Sequence, residues 1–168
     1  MKIGALKETS IGERRVALTP DSAVQLQKLG YDCLVEKNSG LAAGFSDEQY
    51  KTVGVEIVGT PKKLTEACDV IVKVLPPSES ELQELSSSKT LISLFYPGSN
   101  EALLLLAKSS ESNVIAMDMV PRISRAQKMD VLSSMANISG YRAVIEAGNN
   151  FGRFFTGQMT AAGKVPPA

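Results

Sequence analysis

The chain contains no histidine. Imidazole is therefore unavailable for metal binding, proton relay or nucleophile activation. There are only two cysteines, Cys33 and Cys68, each in or beside an apolar stretch. Two separated cysteines provide neither a metal-ligand spacing nor a disulfide framework, so buried free thiols in a reducing compartment are expected. Neither sign of charge is in excess: Lys plus Arg and Asp plus Glu each number 18. A nucleic-acid surface needs a basic surplus on one face, and none is expected here. The longest apolar run, Ala102 to Ala107, is far too short to span a bilayer. Direct membrane insertion is not expected, and any membrane association would have to come through a partner. No Gly-x-Gly-x-x-Gly follows a strand-like run, and no other phosphate-cradling loop is present, so a complete dinucleotide site within these residues is not expected.

What is present fits one domain with a substantial core in 168 residues. The first residues, Lys2-Ile3-Gly4-Ala5-Leu6, read directly as a strand, and no signal or transit segment is expected before them. Short apolar runs alternate with helical patterns. Strands are expected over residues 3–6, 33–36, 55–58, 70–75, 90–95 and 114–119. The alternation predicts βαβ units around a parallel sheet covered on both faces. The fold class is therefore a three-layer α/β domain of flavodoxin or Rossmann type, lacking the glycine fingerprint. Helix starts are marked at Thr19-Pro20-Asp21, Ser46 with Gln49, Thr60-Pro61 and Ser78 with Glu81. Phe45 is expected to staple onto Tyr50, and Gly30 to close the first helix. A Leu-rich helix is expected from Asn100 to Ser109, and a longer one from about Asp130 to about Asn149. The domain is drawn over residues 1–162, with Pro-rich 163–168 as a linker.

Three groups of residues carry candidate chemistry. Lys7, Glu8 and Glu13-Arg14-Arg15 follow the first strand, at the carboxyl edge where open α/β sheets place ligands. Arg15 there can grip a carboxylate, or the loop can be a solvated run of charge. Lys73 sits inside an apolar strand run. It either faces a cleft or snorkels to water, because an unpaired buried ammonium is costly. Arg122, Arg125, Gln127 and Asp130, with Ser133 and Ser134, lie at the start of the long helix. They can hold a carboxamide or a ribose, or they can be a capped helix start with surface pairing. Residues 149–155, Asn-Asn-Phe-Gly-Arg-Phe-Phe, read as a turn with an aromatic packing patch.

Some of these segments form a recognisable pattern. They are Glu13-Arg14-Arg15-Val16-Ala17-Leu18-Thr19-Pro20, Val72-Lys73-Val74, Pro121-Arg122-Ile123-Ser124-Arg125-Ala126-Gln127 and Leu132-Ser133-Ser134-Met135-Ala136-Asn137. With residues 151–157 and 160–168, they resemble the amino-terminal part of the alpha subunits of proton-translocating NAD(P) transhydrogenases. These belong to the alanine dehydrogenase/transhydrogenase superfamily. The resemblance implies an NAD(H)-binding component whose Rossmann half lies outside this chain. It further implies direct hydride transfer between NAD(H) and NADP(H), the latter held on a partner component, and a membrane proton-channel component. A homodimer inactive without these partners is also implied. The implied location is peripheral to the inner membrane on the cytoplasmic side in a bacterium, or the mitochondrial matrix in a eukaryote.

By the same resemblance Arg122, Gln127 and Asp130 are the catalytic positioning residues. Ser124 and Ser133 join them in contacting the cofactor. Arg15 and Lys73 match positions that bind pyruvate in alanine dehydrogenases. That family also implies a histidine after the fifth strand, where this chain carries Tyr96. An alanine dehydrogenase domain, or a non-enzymatic dimerising or regulatory module, are the alternative functions.

Overall fold

The computed structural model of the protein describes residues 1–85, 88–153 and 155–166. Phe154 of the expected aromatic patch, and Pro167 and Ala168 of the expected linker, lie outside the described residues. The chain gathers into two compact units, Met1–Pro121 and Arg122–Ala168.

The first unit is built on β1 (Lys2–Ala5), β2 (Asp32–Glu36), β3 (Glu56–Val58), β4 (Val70–Val72), β5 (Thr90–Ser93) and β6 (Asn113–Ala116). All five pairings are parallel, in the order β3-β2-β1-β4-β5-β6. This is the doubly wound order, and its reversal point falls between β1 and β4. Successive residues of a strand point to opposite faces, and the core divides accordingly. Leu6, Leu34, Ile71, Leu91 and Phe95 pack on one face with Leu64, Cys68, Leu82, Leu85 and Ala107. These come from or adjoin α3 (Pro61–Ala67), α4 (Glu79–Gln83) and α5 (Glu101–Ser109). Ala5, Cys33 and Val35 face the other way, against Leu18, Ala23, Tyr50 and Val55 around α1 (Pro20–Lys28) and α2 (Asp47–Thr52). The three-layer α/β expectation is thus met.

Local chemistry explains the helix starts. Ser46 and Gln49, and Ser78 and Glu81, form reciprocal capping boxes, as their spacing predicts. Thr19 forms a further box with Ser22, where serine takes the place of the usual Glu or Gln. The Phe45 and Tyr50 rings meet edge to face at 6.4 Å, as expected of the staple. Gly30 follows α1 at φ 88°, a left-handed conformation that glycine adopts without strain. Cys33 and Cys68 are both buried and free.

Three departures have identifiable causes. The fourth strand stops at Val72 rather than running to residue 75, because the Glu8 carboxylate takes the next amides: Val74 N–H donates to Oε1 at 2.6 Å and Leu75 N–H to Oε2 at 3.4 Å. The sixth strand ends at Ala116, and Met117–Met119 turns as a 3-10 helix. That turn lets Asp118 accept the amides of Phe95 at 2.6 Å and Tyr96 at 3.0 Å. Asn100 precedes α5, but its side-chain amide donates to the Phe95 and Tyr96 carbonyls instead of capping the helix.

The second unit holds a 3-10 helix at Ser124–Met129, the long α6 (Val131–Asn150) and a hairpin of β7 (Gln158–Thr160) and β8 (Gly163–Val165). The hairpin is antiparallel, with Thr160 opposite Gly163. Residues 163–165, read from sequence as the start of a linker, are its second strand. Phe151 stacks on Phe155 with ring centroids 5.0 Å apart. Among the described residues no helix is long and apolar enough to cross a membrane.

Candidate functional site

The polar residues ahead of α6 come together because of how that helix begins. Ile123 is extended, Ser124–Met129 coils as a 3-10 helix, and Asp130 caps α6. The Asp130 carboxylate is held at both oxygens by one residue. Ser133 N–H donates to Oδ1 at 3.0 Å, and the Ser133 hydroxyl donates to Oδ2 at 2.6 Å. The Ser134 hydroxyl donates to the Asp130 carbonyl at 3.2 Å, and Asp130 N–H donates to the Gln127 carbonyl at 3.2 Å. The Ser133 hydroxyl and then the Ser133 amide hold the Asp130 carboxyl below its usual range, with the Arg122 charge adding to the effect. Asp130 also caps the positive end of the α6 dipole, where a carboxylate is favoured. The group is thus a fixed, ionised acceptor. A carboxylate has about four lone-pair sites and two are used here, so it can still receive a ligand N–H.

Arg122, Ile123, Ser124, Gln127, Asp130 and Ser133 line one hollow of about 650 Å³. All five residues expected to contact a cofactor from this segment are therefore on its wall. Arg125 and Ser134, also named from the sequence, are not among those lining it. Ile123, 54% exposed, lines it without having been singled out. An apolar residue inside a polar loop was the available signal. The wall offers a guanidinium, a carboxamide, two hydroxyls and a carboxylate beside an apolar side chain. Such a set can orient a flat ring bearing an amide.

A phosphate cradle is a different matter. In dinucleotide-binding sheets it forms at a tight glycine turn between the first strand and helix. Here residues 6–19 connect β1 to α1 and carry a single glycine, Gly12.

The other two expected residues lie in the first unit. Arg15 donates to Glu13 through Nε at 2.9 Å and Nη2 at 2.6 Å, and its backbone N–H donates to the same carboxylate at 2.8 Å. This pairing holds the Glu13 carboxyl below its ordinary value. Lys7, Glu8, Glu13, Arg15, Asn38, Ser39, Leu41 and Ala42 line a second hollow of about 220 Å³. Lys73 is not part of its lining. It neither faces a cleft freely nor reaches water: it is 5% exposed and its ammonium donates to Glu81 Oε1 at 2.7 Å. Glu81 was noted only as a cap residue, and its second role has no local signal. Tyr96 follows β5 at φ 50°, held there by the contacts of Asp118 and Asn100.

The pattern of the family described as alanine dehydrogenase/PNT, N-terminal domain, matches residues 4–139. An NAD(P) transhydrogenase subunit alpha from Cereibacter sphaeroides is 64% identical over 168 residues, covering 100% of this chain and 32% of its own length. The chain thus spans about a third of that relative. A solved transhydrogenase from Sinorhizobium meliloti superposes with a TM-score of 0.91 at 38% identity, over 100% of this chain and 50% of its own. A solved L-alanine dehydrogenase superposes with a TM-score of 0.70 at 26% identity, over 74% of this chain and 34% of its own.

Proposed function

The chain belongs to the alanine dehydrogenase/PNT N-terminal domain family, and from that premise we propose that it forms part of the NAD(H)-binding component of a proton-translocating NAD(P) transhydrogenase. In this reading the chain supplies the amino-terminal domain, and the stretch after the β7–β8 hairpin leads toward the Rossmann unit that grips the dinucleotide phosphates. NAD(H) held there would exchange a hydride directly with the NADP(H) of a partner component, and a membrane component would couple the exchange to proton movement. Arg122 and Asp130 orient the dihydronicotinamide and its carboxamide. Ser124 and Ser133 line the same wall, and Gln127 reaches toward the NADP(H) partner. These residues hold the reacting rings in line and take no proton. Alignment of two reactants can account for up to ~7–11 kcal/mol of a barrier.

The observation that carries this reading is the shared hollow of Arg122, Ile123, Ser124, Gln127, Asp130 and Ser133. The presence of Tyr96 where the alanine dehydrogenase resemblance implies a histidine weighs against that activity. The test is single-turnover hydride transfer in the full-length protein assembled with its NADP(H) component. Replacing Gln127 with Asn should slow transfer at least tenfold while NADH affinity changes less than threefold. Unchanged transfer removes the role assigned to Gln127.

A further inference from the structure

Five of the six residues around the hollow ahead of α6 are polar, and the sixth is Ile123. A single exposed isoleucine is ordinary on a protein surface. This one differs in how it is held. Its backbone is extended, at φ −121° and ψ 158°, where the chain enters the 3-10 helix. Its carbonyl accepts the Ala126 N–H at 2.9 Å, and Ala126 is buried. Ile123 is therefore tied to a buried anchor while it stays 54% exposed on the wall of the hollow. A side chain branched at Cβ has little freedom about χ1. Ile123 thus presents a fixed apolar surface among hydrogen-bonding groups.

The two kinds of wall constrain a flat ring differently. Hydrogen bonds to a carboxamide lie close to its plane. Arg122, Gln127 and Asp130 can therefore fix the edge of a nicotinamide and its place along the wall. They do not decide which face of the ring is turned outward. A ring flipped about the bond to its carboxamide still offers the amide to the same partners. A rigid apolar side chain against one face does decide it. Such a side chain gains dispersion contact with the ring, keeps water off that face and leaves the other face open to a second nucleotide. Hydride leaves C4 perpendicular to the ring plane, so the backed face sets which of the two C4 hydrogens departs.

We propose that Ile123 is a positioning residue, whose side chain backs one face of the dihydronicotinamide ring and so selects the C4 hydrogen that is transferred. The inference rests on the nicotinamide reading of the hollow and adds to it the sidedness of transfer. The test uses the full-length protein assembled with its NADP(H) component. It is given NADH deuterated on one side or the other of C4, with NADP+ on the partner. Deuterium in the NADPH formed is measured by mass spectrometry after a single turnover. The wild type should pass deuterium from one labelled form only. Ile123→Ala should pass it from both and slow transfer at least tenfold, while NADH affinity changes less than threefold. Ile123→Val keeps the branch at Cβ and should restore one-sided transfer. Two-sided transfer by the wild type or by Ile123→Val overturns the proposal, as does unbroken one-sided transfer by Ile123→Ala. If Gln127→Asn slows transfer while Ile123→Ala stays one-sided, this inference fails alone. If neither substitution affects transfer, the reading of the hollow fails with it.

Discussion

At the scale of single residues, the site depends on how Asp130 is held. Both of its carboxylate oxygens accept from Ser133. The depressed pKa fixes the sign of the pH effect. The Asp130 cap is fully present above the ordinary carboxylate value and is lost as pH falls through the lower folded value. Replacing Ser133 with Ala removes the hydroxyl, the larger of the two causes, and keeps the amide. The Asp130 pKa should then rise toward that of a free aspartate, as followed by carboxyl carbon chemical shifts. An unchanged titration would mean that the hydroxyl does not set the charge. The polar residues of this loop were legible because they lie within a dozen positions of one another. The fate of Lys73 was not legible. Its partner is eight residues away across a strand end, and no periodicity links an apolar strand to a cap residue on the next helix.

At the scale of elements, the central strand shows why particular residues stand where they do. A Cβ on Gly4 would lie 2.6 Å from Cys68 Sγ and 2.6 Å from Leu64 Cδ2. The glycine lets α3 settle directly on β1. Gly4→Ala should destabilise the protein by about 1–3 kcal/mol, through overpacking of a buried contact. A drop of several degrees in Tm checks this, and an unchanged Tm would mean that α3 shifts freely. Tyr50 ties α2 to the chain before α1, its buried hydroxyl donating to the Leu18 carbonyl at 2.7 Å. Burial pushes this phenol up to about 12. Its contribution is therefore whole below the ordinary tyrosine value of about 10 and is lost as pH rises through about 12. Tyr50→Phe should lower stability by about 1–3 kcal/mol, the cost of an orphaned buried carbonyl, and should flatten alkaline unfolding over that range. Caps and staples were readable here because they are set by neighbours three to five residues apart. The strand ends at Val72 and Ala116 were not, since Glu8 reaches Val74 from the loop after β1, and Asp118, in the turn after β6, is drawn to amides that follow β5. The β7–β8 hairpin was also missed. Gln158-Met159-Thr160 has no clear alternation, and the prolines at 166 and 167 drew the reading toward a linker.

At the scale of the molecule, alternating apolar runs and helices sufficed to predict a parallel α/β sheet. The strand order was not predicted, because order is fixed by crossovers rather than by any local pattern. The chain carries a doubly wound sheet without a glycine turn, together with a separate unit that begins with the polar loop. This division of parts underlies the account: affinity for the dinucleotide is proposed to come from a Rossmann unit, and alignment of the ring from Arg122, Gln127 and Asp130. The most direct test is a crystal structure of the full-length protein with NADH bound. The account predicts the nicotinamide carboxamide within hydrogen-bonding distance, about 2.7–3.2 Å, of the Arg122 or Asp130 side chain. A nicotinamide ring bound elsewhere, with no contact to any residue of the 122–133 hollow, would contradict it.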